Sequence, residues 1–119
     1  IAGGWYGLLA HLLRDAFPDD HIVCGDMDPM TEYFGHKLFP DRNIEFKVED
    51  CLESNDLDAN IIINTSCEHM EPDDLEKFIL KKPKESIIVL QTNDYGKLDS
   101  HINCFVNLQM FLDIPDLWL

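Results

Sequence analysis

The chain has 119 residues, 45% of them hydrophobic, enough apolar material for one domain with a core. Nine Lys and Arg against 23 Asp and Glu leave a formal net charge of −14, which speaks against a nucleic-acid partner because phosphate contacts need clustered bases. No apolar run approaches the ~20 residues of a membrane span, no signal-peptide pattern opens the chain, and the four cysteines form no CxxC pair. The expectation is a reduced, cytoplasmic protein with no membrane partner.

In chain order, Gly3-Gly4-Trp5-Tyr6-Gly7 comes first, a glycine-rich turn running into an apolar stripe. Leu8, Leu9, Leu12 and Leu13 recur at helical spacing, and Phe17-Pro18 stops that helix. His21 to Asp26 is a short apolar run ending in an acid. Met30 to Leu38 predicts a second helix, closed by Pro40-Asp41. Ile44, Phe46 and Val48 alternate with polar residues as a strand running to Asp50. Asn60 to Ser66 holds Ile61-Ile62-Ile63, the pattern of a strand covered on both faces, and Ser86 to Leu90 repeats it. Between them, Pro72 with Asp73 and Asp74 opens a helix through Leu80, with Lys81-Lys82-Pro83-Lys84 at its end. Phe105 to Leu112 predicts a last helix.

Strands alternating with helices imply a mostly parallel sheet with helices on both faces. The expected strand order places Ile44–Asp50 outermost, then Ile22–Asp26, a stub at Ile1–Ala2, Ile61–Asn64 and Ile87–Leu90. Ligands of such sheets sit beyond the carboxyl ends of the strands, and there the chain places its glycines, acids and amides. A glycine turn after a strand permits close approach of a ligand to backbone. Asp26 follows Gly7 at the ~20-residue distance at which an acid accepts hydrogen bonds from ribose. The dinucleotide fingerprint G-x-G-x-x-G is half met, with Ala2 at its first position and Gly4 and Gly7 at the others.

These motifs resemble the class I S-adenosylmethionine-dependent methyltransferases. That family's first motif, acid-x-Gly-x-Gly-x-Gly, maps onto Ile1, Gly3, Trp5 and Gly7, with Ile1 and Trp5 departing from it. Asp26-Met27-Asp28-Pro29 is similar to the acid-x-x-Pro after the second strand, Glu49-Asp50-Cys51 to the acidic stretch after the third, and Asn64 to Met70 to the segment after the fourth. The resemblance implies a Rossmann-like α/β/α sandwich in a single domain over residues 1–119, lacking part of the first strand and the last strands, and incomplete at both ends. It implies a methyltransferase whose cofactor, S-adenosylmethionine, meets Gly3, Gly4, Trp5, Gly7, Asp26, Met27, Asp50, Cys51 and Asn64. Trp5 and Tyr6 either wall the pocket, their faces being favourable near a sulfonium, or pack over the first helix.

Methyl transfer needs an aligned acceptor and, for a poor nucleophile, a base. His69 is the expected base and Glu68 its orienting partner, the alternative being that His69 anchors a loop. Gln91, Asn93 and Tyr95 form a polar ledge for a small-molecule or protein acceptor. Two other classes stand beside this one: an NAD-type dinucleotide-binding module using the same turn and Asp26, and a non-catalytic Rossmann-like binding fragment. Cys67, His69, His101 and Cys104 supply a zinc-like donor set, but their intervals match no standard zinc motif, and no metal centre is expected.

Overall fold

A computed structural model describes residues 1–54 and 59–112. The chain divides into two compact units, Ile1–Asn55 and Asp56–Leu119. Each is an α/β unit built on a parallel strand pair.

In the first unit, helix α1 (Leu8–Ala16) precedes strand β1 (Ile22–Asp26), helix α2 (Pro29–Leu38) and strand β2 (Ile44–Val48). Strands β1 and β2 pair in parallel with Ile22 opposite Ile44 and Cys24 opposite Phe46. That register stacks buried apolar pairs, and with Ala10 they form the core, against which Ile1 and Leu13 pack. The stub before the glycine turn joins the other edge of β1 through a parallel bridge between Ala2 and Gly25. The order of Ile44–Val48, Ile22–Asp26 and stub therefore follows the expected one. Strand β2 stops at Val48 rather than Asp50, although Glu49 N–H still donates to the Asp26 carbonyl at 2.9 Å.

Helix α1 buries a different stripe from the one its leucines suggest. Leu8 and Leu12 are exposed, whereas Ala10 and Arg14 are buried. The buried Arg14 guanidinium donates to the carbonyls of Phe17, Pro18, Asp20 and Asn43 at 2.6–3.1 Å. Four carbonyls accept from its two terminal nitrogens while the buried Nε has no partner, so a charge that periodicity counts as surface is largely compensated inside. Helix α2 starts where its residues dictate: Asp28 caps it by accepting from Met30 N–H at 2.9 Å, and Pro29 occupies the first turn.

In the second unit, strand β3 (Ile61–Asn64) leads through a 3₁₀ turn (Cys67–His69) into helix α3 (Pro72–Leu80), then strand β4 (Ile87–Leu90) and helix α4 (Leu108–Leu112). Strands β3 and β4 pair in parallel, Ile61 opposite Ile87 and Asn64 opposite Leu90. Leu75 and Phe78 of α3 are fully enclosed. The expectation that both strands are covered on both faces does not hold. Ile62 and Asn64 are buried, but Ile61, Ile87 and Val89 are exposed, so the β-branched run serves one covered face and one open face. The lysine knot follows α3 as expected, with Lys81 N–H donating to the Lys77 carbonyl and Lys82 lying over the Phe78 ring. Among the described residues, no helix is long and apolar enough to cross a membrane.

Candidate functional site

The glycine turn is held against the end of β1. Gly4 N–H donates to the Gly25 carbonyl at 3.0 Å, and Gly25 N–H to the Ile1 carbonyl at 2.8 Å. Trp5 N–H donates to Asp26 Oδ2 at 3.0 Å, while Asp28 N–H donates to Asp26 Oδ1 at 3.0 Å. One carboxylate thus ties the turn, the strand end and the entry to α2 together. Both of its oxygens keep further lone pairs for a ligand hydroxyl.

The glycines answer first to the protein's own side chains. A Cβ on Gly4 would stand 2.4 Å from Cys24 Sγ, and one on Gly7 2.5 Å from the Phe46 ring. Gly7 also has φ of 83°, in the left-handed region that an L side chain rarely adopts. Their Cβ positions are therefore filled from inside the unit. Burial pushes the Cys24 thiol up to about 11, which keeps it protonated beside the turn. Trp5 is 65% exposed, stacked on Tyr6 at 4.7 Å between ring centroids. Tyr6 in turn meets the edge of Phe34 on α2 at 5.6 Å. The pair leans on the second helix and presents Trp5 to solvent. Met27 is also exposed, and Asp50, next to Cys51 in sequence, caps a turn by accepting from Leu52 N–H at 2.8 Å.

In the second unit the residues after β3 and β4 meet. Glu68 is buried, and its Oε1 accepts from Asn93 Nδ2 at 3.0 Å. The Glu68 backbone carbonyl accepts from Ile102 N–H at 2.9 Å and Asn103 N–H at 3.1 Å, which seats the 101–103 segment beside it. His69 Nε2 lies 4.0 Å from Glu68 Oε1, too long for a hydrogen bond. The expected orienting role of Glu68 therefore passes to the Ser100 carbonyl, 2.8 Å from His69 Nδ1. A carbonyl only accepts, so Nδ1 carries the proton and Nε2 of the neutral ring keeps its lone pair. His69 anchors a loop through that bond.

The remaining expected residues divide. Asn93 Oδ1 accepts from Tyr95 N–H at 2.9 Å, so Asn93 organises the ledge from inside, while Gln91 and Tyr95 are exposed. Asn64 is 1% exposed, and its amide is spent on Ser66 N–H at 2.9 Å and Met70 Sδ at 3.1 Å. Its side chain holds the turn after β3. The cysteines of the zinc-like set are engaged elsewhere: Cys67 donates to the Asn64 carbonyl, and Cys104 to Asn93 Oδ1 and the His101 carbonyl. Sequence reasoning missed Asn103, whose buried Nδ2 has no hydrogen-bond partner, and Arg14. An Asn or Arg carries no periodic signal of burial, so neither was legible.

No protein-family profile matches the chain, and no curated protein matches it in sequence.

Proposed function

We propose that the chain is a Rossmann-like, S-adenosylmethionine-dependent methyltransferase domain acting on a small-molecule or protein acceptor. The observation that carries the reading is the bond from Trp5 N–H to Asp26 Oδ2. It joins a glycine turn at the start of a helix to an acid at the end of the neighbouring parallel strand, the arrangement in which an acid meets a cofactor ribose. In this reading Asp26 accepts from the ribose hydroxyls, exposed Trp5 and Met27 border the adenosyl group, and Asp50 accepts from the adenine amino group. His69 Nε2 is the base for an acceptor that needs one.

Within the turn the amides of Gly4, Trp5 and Gly7 already donate to Gly25, Asp26 and Gly4 respectively. The N-terminus of α1 has no side-chain cap, so a pyrophosphate would meet its first-turn amides there, and NAD is the competing ligand in the test.

The test is calorimetric titration of the chain with S-adenosylmethionine, S-adenosylhomocysteine and NAD. One saturable site for the first two and no heat from NAD is the expected result. Asp26→Ala should weaken binding by about 10- to 100-fold, on the scale of ~1.5–3 kcal/mol for a hydrogen bond to a charged group. Thermal melting establishes that the variant is folded. Unchanged affinity in a folded variant removes Asp26 from the site, and tighter binding of NAD replaces the methyltransferase reading with the dinucleotide one.

A further inference from the structure

Glu68 and His101 meet at His69, and the use of His69 as a base does not account for that meeting. One ligand atom from each lies within 4.8 Å of the other two. The two imidazoles meet edge to face, their centroids 4.8 Å apart. His69 Nδ1 lies 2.8 Å from the Ser100 carbonyl, and His101 Nδ1 lies 2.8 Å from the Tyr95 carbonyl. Both rings are therefore fixed in the tautomer that protonates Nδ1 and leaves a lone pair on Nε2. A backbone carbonyl on the far nitrogen is the usual support of a metal-binding histidine, since it sets the ring's orientation and raises the donor strength of the other nitrogen.

The third member supplies the charge. Glu68 is 8% exposed, its Oε1 takes one bond from Asn93, and its Oε2 is buried without a hydrogen-bond partner. A buried carboxylate oxygen with nothing to accept from is costly. The carboxylate approaches His69 Nε2 through Oε1 at 4.0 Å, and a cation shared with both histidines gives the buried group a partner that their lone pairs cannot. Held by Asn93 on one side, the carboxylate is also oriented in the way that ligating carboxylates are.

We infer that Glu68, His69 and His101 form a binding site for a divalent first-row transition-metal ion, zinc above all. Two imidazoles and one carboxylate suit a borderline ion and not magnesium or calcium, which take oxygen ligands. Bonds of ~2.0–2.1 Å in a tetrahedral site place ligand atoms about 3.4 Å apart, so the ion draws atoms now within 4.8 Å together by up to about 1.4 Å. Three protein ligands leave the fourth position open, and His69, with its side chain 45% exposed, puts that position within reach of solvent. An ion held by these three residues would lower the proton affinity of a water at the open position, whose proton would leave to the solvent that reaches it. When the ion is bound, the His69 lone pair is committed to it and the acid–base role passes to the metal-bound oxygen. The inference stands on the second unit alone and is independent of the cofactor proposed above.

The test uses the full chain, freed of metal by chelator and titrated with zinc chloride and magnesium chloride. Cobalt(II) serves as a spectroscopic probe of coordination. The expected result is one zinc per chain, a rise in melting temperature, no response to magnesium, and a visible cobalt spectrum of low coordination number. His101→Ala and His69→Ala should each lower zinc affinity by about 100-fold or more. Glu68→Gln, which keeps an oxygen for Asn93, should lower it by about 10-fold or more, and Cys104→Ser should leave it unchanged. Melting curves of the metal-free variants check their folding. If folded His101→Ala binds zinc as the parent does, or if Cys104→Ser abolishes binding, the ligand set is wrong. Absence of binding up to millimolar zinc overturns the site altogether.

Discussion

Gly4 and Cys24 show how closely the first unit is packed. The hydrogen of Gly4 faces a sulfur atom that a methyl group would approach to 2.4 Å. Gly4→Ala should therefore destabilise the protein by about 1–3 kcal/mol, the usual range for overpacking. Adding Cys24→Ala removes the sulfur and should recover part of that loss. A denaturant double-mutant cycle gives the coupling, and additive losses would show that the strain lies elsewhere. The thiol makes a second prediction. Burial raises it to about 11 from an ordinary value of 9.0. A raised thiol favours the folded state while both states hold the proton, below pH 9, and that advantage is lost as pH rises through 11. Stability should fall over this interval, and Cys24→Ala should flatten the fall. Native iodoacetamide labelling should spare Cys24 at neutral pH.

At the scale of the elements, the end of α1 is fixed by Arg14. Its guanidinium gathers three carbonyls after the helix and that of Asn43 before β2, so one side chain joins the helix end, the 17–20 turn and the next strand. Lysine keeps the charge but lacks the planar fork, so it cannot reach acceptors on several sides. Arg14→Lys should cost about 2–3 kcal/mol in chemical denaturation, and Arg14→Met, which removes the charge and abandons four carbonyls, at least as much. A loss under ~0.5 kcal/mol for Arg14→Lys would mean that water replaces the fork. Phe46 fills the corresponding place inside. Its ring occupies the positions that Cβ atoms on Gly7 and Gly35 would take, which explains both glycines, one at the start of α1 and one within α2.

For the whole molecule, the net charge of −14 sets the response to salt. Among the described residues Asp15 pairs with Arg42, Asp74 with Lys77, and Glu45 with His21 and Lys47. Acids still outnumber Lys and Arg by 23 to nine, so like-charge repulsion is the larger long-range term. Raising ionic strength from ~0.01 M to ~0.15 M shortens the Debye length from ~30 Å to ~8 Å and screens that repulsion. The melting temperature should therefore rise with sodium chloride, measured by circular dichroism. A fall would show that the few ion pairs outweigh the repulsion.

What the sequence by itself determined is the succession of elements and the parallel pairing of neighbours. Apolar periodicity and Pro72 at a helix start are local signals, read over a few residues, and each marks an element the fold contains; the Asp28 cap and Pro29 start of α2 emerged only with the structure. The clustering of polar residues at strand ends was equally legible, because a parallel strand delivers its carboxyl end to one edge wherever it pairs. Tertiary structure alone decided which faces are buried and which groups meet. Leu8 and Leu12 lie outside while Arg14 lies inside on four carbonyls, and Ile61, Ile87 and Val89 lie open although their pattern is that of enclosed strands. The meeting of Glu68 and His69 with His101 depends on two backbone bonds from Ile102 and Asn103 to the Glu68 carbonyl. Main-chain hydrogen bonds carry no side-chain signature, so a site assembled by them is invisible until the chain has folded.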